Sequence, residues 1–132
     1  MIEATTAAEP MLEALIERVL ESGGYPYLLT KLPREEATFY KFAKEAQLLQ
    51  THEFLKLAYD NFEARIRLHS LTDTKHLSDV DPKKQALVNR ANSSILAAQM
   101  RRGQAGEFKW CTTLYPTQGY ADDAGMSLDE YK

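Results

Sequence analysis

The sequence has few of the features that place a protein outside a reducing compartment, in a membrane or on nucleic acid. Cys111 is the only cysteine among 132 residues, so no internal disulfide is possible and a cytoplasmic location is expected. No run approaches the roughly 20 apolar residues of a transmembrane helix, and no signal-peptide pattern is present. Sixteen basic and nineteen acidic residues give a net charge of −3, which argues against a nucleic-acid-binding protein.

Motifs for metal binding and nucleophilic catalysis are also scarce. The three histidines, His52, His69 and His76, form neither an i, i+4 pair nor a His-Glu-x-x-His motif, so no metal site is predicted. The acidic loop around His76 could hold a cation weakly, although a solvated loop is the more typical interpretation. Cys111 lies within a predicted strand, which favours a buried structural thiol over a nucleophile. No catalytic residue is therefore predicted, and the first β–α turn lacks the glycines of a nucleotide-binding loop.

What the sequence does contain is an alternation of strand and helix patterns in a chain of single-domain length. The run at 6–9 (TAAE) is a capping box, and Asp81 followed by Pro82 marks a second strong helix start. Predicted strands cover 2–4, 25–32, 64–70 and 108–115, and predicted helices cover 6–23, 34–49, 51–62 and 81–103. Phe39 and Phe42 are predicted to face inward. Strands separated by helices pair in parallel, so we predict a single three-layer α/β/α domain over residues 1–132, with about four parallel strands.

The carboxyl ends of these strands form the predicted functional edge, because ligands and partner domains of open α/β sheets bind outside them. The residues expected to form a cleft or domain junction there are Thr5, Thr6, His69, Ser70, Tyr115, Pro116, Thr117 and Tyr120. A simple exit loop is the alternative for residues 115–121. Arg65 and Arg67 share one face of the third strand with His69. Their aliphatic stems are expected to cover the sheet edge while their charges reach water.

Both ends of the chain favour a piece of a larger protein. Residues 2–4 look too short for an interior strand, and the capping box at 127–130 (SLDE) begins a helix in the last residues. A short first strand and a frayed tail are the alternative. We predict a domain cut from a longer chain.

The residues toward the C-terminus resemble a known family. The runs at 109–117 (KWCTTLYPT), 120–121 (YA) and 126–130 (MSLDE) resemble the end of the N-terminal domain in thermophilic-type metalloaminopeptidases. This family contains aminopeptidase T, aminopeptidase S and leucyl aminopeptidase-like enzymes. The runs at 64–68 (ARIRL) and 80–82 (VDP) agree with it, and the resemblance extends in order over nearly all 132 residues.

The resemblance implies that this chain is the non-catalytic N-terminal domain of a two-domain, dimeric aminopeptidase. Such an enzyme removes N-terminal residues from peptide substrates, using two divalent metal ions, zinc or cobalt, held by a C-terminal catalytic domain of the same protein. None of those metal ligands has a counterpart here, so the resemblance implies no cofactor in these residues and no activity of the chain alone. Two alternatives remain open. One is a small-ligand or regulatory binding module at the strand ends, to which Thr30 would contribute, and the other is an interaction domain with an exposed edge. No nucleic-acid or membrane partner is expected.

Overall fold

A four-stranded parallel sheet organises the fold. The computed structural model describes residues 1–132, and its strands are β1 (Ile2–Thr5), β2 (Leu28–Lys31), β3 (Ala64–His69) and β4 (Lys109–Leu114). Their order across the sheet is β2-β1-β3-β4. Glu3 of β1 lies opposite Leu29 on one side and Arg67 on the other. Since helices connect all four parallel strands, the predicted α/β class is confirmed, consistent with a three-layer α/β/α arrangement.

Eight α-helices alternate with these strands. They are α1 (Glu9–Glu21), α2 (Glu35–Phe42), α3 (Glu45–Leu48), α4 (Glu53–Asn61), α5 (Pro82–Ala91), α6 (Ser93–Gln104), α7 (Gln118–Ala124) and α8 (Leu128–Tyr131). The capping box predicted at the start of α8 is present, because Ser127 and Glu130 bond reciprocally. Helix α7 lies where the sequence suggested either a junction or a simple exit loop. None of the eight helices is both long and apolar enough to cross a membrane.

The chain divides into two compact units. The first, which we call the sheet unit, contains Met1–Pro33, Arg65–His76 and Trp110–Lys132, and therefore nearly all of the sheet together with α1, α7 and α8. The second, which we call the helical unit, contains Arg34–Ala64 and Leu77–Lys109, and therefore α2 to α6.

Strand β1 lies at the centre of the sheet unit. All four of its residues are buried, and Ile2 and Ala4 form a hydrophobic cluster with Ala8, Leu12 and Leu68. The expectation that this segment is too short for an interior strand is wrong. Although β1 has only four residues, it is stabilised by pairing with β2 on one side and with β3 on the other.

The start of α1 also differs from the prediction. The side chain of Thr5 accepts a hydrogen bond from the backbone N–H of Ala7 at 3.3 Å, and residues 6–8 form a 3-10 turn. Ala8 then precedes α1 without a side-chain cap, so the predicted capping box at 6–9 is wrong. Pro10 lies in the first turn as expected, and Gly23 adopts a φ of 78° just beyond the helix end.

Two predicted long helices of the helical unit are each interrupted. The first stops at Phe42, and a new helix starts after Lys44, whose N–H donates to Oε1 of Gln47 at 2.9 Å. The second breaks at Asn92, whose Nδ2 donates to the carbonyl of Val88 at 3.0 Å while its Oδ1 accepts from the N–H of His52 at 2.8 Å. The apolar residues keep their helical spacing across both interruptions. Side-chain bonds to the backbone compete there with the helical ladder, so the prediction of continuous helices is wrong.

The buried face of α2 is rotated from the predicted one. Phe39 and Phe42 were expected to face inward but are 42% and 72% exposed. Tyr40 is the buried residue of this helix, and its carbonyl oxygen accepts a hydrogen bond from Nζ of Lys84 at 2.7 Å. A helix of eight residues offers too few turns for its apolar residues to define one face.

Candidate functional site

Thr5 and Ser70 join the carboxyl ends of β1 and β3. The N–H of Thr5 donates to Oγ of Ser70 at 2.9 Å, and Oγ1 of Thr5 donates to the carbonyl of Ser70 at 2.7 Å. The two hydroxyl oxygens are 2.9 Å apart. Both residues are buried, Ser70 almost completely. Two residues predicted at the functional edge are therefore in direct contact, as the parallel arrangement of β1 and β3 requires.

Helix α7 is attached to the loop that follows β3. Oγ1 of Thr117 donates a short hydrogen bond to the carbonyl of Leu71, and Oη of Tyr120 accepts from the N–H of the same residue at 3.3 Å. Gly119 lies between these two side chains, and a Cβ added to it would come within 2.5 Å of the carbonyl oxygen of Thr72. The loop and the helix therefore meet backbone to backbone, with a hydroxyl bond on each side of the contact.

The side chains of the other residues predicted at this edge take little part in the contacts between the strand ends. The carbonyl of His69 accepts from the N–H of Tyr115 at 2.8 Å, so these two residues meet through their backbones. The His69 side chain is exposed, and Tyr115 and Pro116 are half-buried at the end of β4. Thr6 is exposed in the 3-10 turn. The structure thus unites Thr5, Ser70, Thr117 and Tyr120, which we call the hydroxyl network, and leaves Thr6 and Pro116 outside it.

The hydroxyl network is largely satisfied within the protein. Thr5 and Ser70 donate hydrogen bonds to each other and accept them from each other. The hydroxyl of Thr117 donates to a backbone carbonyl. Buried polar groups that are paired in this way stabilise one arrangement of the backbone. The network therefore suits the fixing of strand ends and α7 better than the binding of a small polar ligand.

A buried carboxylate lies on the face of the sheet opposite α1. Glu3 of β1 is 5% exposed, and its two carboxylate oxygens accept separate hydrogen bonds. Nζ of Lys31 donates to Oε1 at 2.9 Å from β2, and Nε of Arg67 donates to Oε2 at 2.8 Å from β3. These three residues, the Glu3 cluster, link the three neighbouring strands through charge.

The pKa of Glu3 reflects two opposing effects. Burial on its own raises the pKa of the carboxyl, but the charges and hydrogen bonds of Lys31 and Arg67 outweigh burial, so the pKa lies below its ordinary value. The sequence did not reveal this cluster, because the partners of Glu3 are 28 and 64 residues away. The one available signal was a charged residue in an otherwise apolar first strand.

Arg65 corrects the expectation for the basic face of β3. Arg65 is only 4% exposed, and its Nη2 donates to Oγ1 of Thr112 on β4 at 2.8 Å. The charge therefore does not reach water as predicted. Like Arg67, this arginine binds a polar partner on the adjacent strand, so both side chains stabilise the sheet across strand boundaries.

On the α1 side of the sheet, an apolar groove of about 260 Å³ lies between α1, β3 and β4. Its lining residues are Met11, Leu15, Ile66, Leu68, Cys111, Thr113, Leu114 and Tyr115. The thiol of Cys111 is exposed, so the prediction of a buried structural cysteine is wrong. The reason is the position of β4 at the edge of the sheet, where every one of its residues is exposed.

The titratable residues do not form a metal centre. No group of three or more His, Cys, Asp and Glu side chains is placed to hold a metal ion. Nδ1 of His52 accepts from the N–H of Leu55 at 3.3 Å, and Nδ1 of His76 donates to the carbonyl of Asp73 at 2.9 Å. Asp81 serves as the cap of α5, as expected, by accepting from the N–H of Lys83 at 2.8 Å. These residues therefore do not fit the ligand set of a catalytic zinc or cobalt ion.

Comparison with known proteins gives one family and one fold. The family model described as "Thermophilic metalloprotease (M29)" matches residues 1–132. Among solved structures, wild-type AmpT from Thermus thermophilus superposes with a TM-score of 0.73 at 19% sequence identity. The match covers 98% of this chain and 34% of that chain, so the sequence spans about a third of its length. No curated protein matches the chain.

Proposed function

Because this chain belongs to the thermophilic metalloprotease family, we propose that it is the non-catalytic N-terminal domain of a metal-dependent aminopeptidase. The reaction is the removal of N-terminal residues from peptides, carried out in the remainder of the same polypeptide. One observation carries the proposal. A family match over the whole chain coincides with a fold that makes up only 34% of a solved protein.

The metal chemistry belongs to the remainder of the protein in this proposal. Two divalent ions, zinc or cobalt, would supply an activated water and polarise the scissile carbonyl. The residues of this chain do not fit such ions, so we assign them no step of the reaction. Their role is to position the catalytic domain or to form one wall of its cleft. A homodimer and a cytoplasmic location are part of the proposal, and the free thiol of Cys111 is compatible with the latter.

The alternative of a small-ligand or regulatory module at the strand ends has less support. Its lining was expected to use the hydroxyls of Thr5, Ser70 and Thr117. All three hydroxyls already bond to protein atoms, and a ligand would have to replace those bonds. A thermal-shift screen against nucleotides and amino acids separates the two functions, because a ligand that raises the melting temperature of this chain favours the module.

The aminopeptidase proposal is tested with the protein expressed from the complete reading frame. We expect hydrolysis of leucyl p-nitroanilide that depends on added zinc or cobalt and that falls at least 100-fold after chelation. The matched control is the 132-residue chain, purified in parallel and checked for helical content by circular dichroism. It is expected to show no turnover above the metal-only blank. Robust metal-dependent hydrolysis by the 132-residue chain would overturn the proposal.

A further inference from the structure

We draw no further inference here: the strongest candidate, the exposed apolar patch at the β2 edge of the sheet, where Tyr25, Tyr27 and Leu28 are 75%, 49% and 43% exposed, carries none because nothing in the structure shows what covers it.

Discussion

Glu3 shows how a single side chain links three neighbouring strands. Its carboxylate is buried at the centre of the sheet, and it binds one cation from each neighbouring strand. Lys31 and Arg67 keep about a third of their side chains exposed, so the cations remain partly hydrated while the carboxylate does not. This asymmetry makes the carboxylate the group whose loss has the larger effect, since its removal leaves two cations facing each other across β1.

We therefore expect Glu3→Gln to lower the free energy of unfolding at pH 7 by about 1–3 kcal/mol, below the full cost of a buried pair because the cations are partly exposed. The pKa of Glu3 is depressed in the folded state, so its contribution is present above the ordinary value of 4.5 and is lost as the pH falls through the lower folded value. Urea unfolding of both proteins between pH 7 and pH 3 measures this dependence, and the difference between them should shrink below about pH 4.5.

Glu17→Gln serves as the control for this substitution. Glu17 is exposed on α1, and its change should alter the stability by no more than about 0.5 kcal/mol at any pH. A difference between wild type and Glu3→Gln that stays constant down to pH 3 would show that the charge of Glu3 is not the source of its stabilising effect.

At the scale of elements, the backbone of α7 lies against the loop after β3 at Gly119. Gly119→Ala tests this contact. Alanine favours a helix over glycine by about 1 kcal/mol, so propensity alone predicts a gain in stability. The new Cβ, however, would lie 2.5 Å from the carbonyl oxygen of Thr72, and the adjacent Leu71 is held by Thr117 and Tyr120. We expect the steric effect to dominate and the unfolding free energy to fall by about 1–3 kcal/mol.

A double-mutant cycle identifies the cause. In a Thr117→Val background the loop loses one of its two hydroxyl bonds and can move away, so the cost of Gly119→Ala should become smaller. Gln118→Ala, on the exposed side of the same helix, is the control and should change the stability little. An unchanged or increased stability of Gly119→Ala in the wild-type background would show that the loop yields without cost.

These elements also show how far the sequence could predict the fold. Alternating strand and helix patterns are local signals, and they correctly predicted four parallel strands. The contact between Thr5 and Ser70 at the carboxyl ends of two of these strands is an observation of the structure. Contacts at long range have no local signal. The central position of β1 depends on its partners, and the bonds of Asn92 that interrupt a helix depend on His52, which lies 40 residues earlier.

Helix α7 was missed because it is two turns long and has no apolar period, although Gly125, with a φ of 68° at its end, was a usable signal.

Cys111 illustrates the same limit at a single residue. Cys111 lies in a strand with flanking aromatic and threonine residues, a pattern typical of a buried strand. Its exposure follows from the position of β4 at the end of the strand order, which no local pattern reports. The sequence could predict the strand but not its position at the edge of the sheet.

At the scale of the whole molecule, the distribution of potential ligands argues for metal-independent folding of these residues. A catalytic zinc site uses three protein ligands. No three His, Cys, Asp or Glu side chains are grouped to hold a metal ion, and His52 lies in a different unit from His69 and His76. We expect zinc or cobalt added in twofold excess to leave the melting temperature of the 132-residue chain unchanged within 1 °C. For a domain of this size, such a shift corresponds to about 0.3 kcal/mol. Calorimetric titration should show no saturable site.

The full-length protein, titrated after chelation and dialysis, is the positive control and should bind two ions per chain. Saturable binding of one ion to the 132-residue chain that persists in His52→Ala but disappears in the double variant His69→Ala and His76→Ala would contradict the expectation, because it would locate a metal site in the sheet unit.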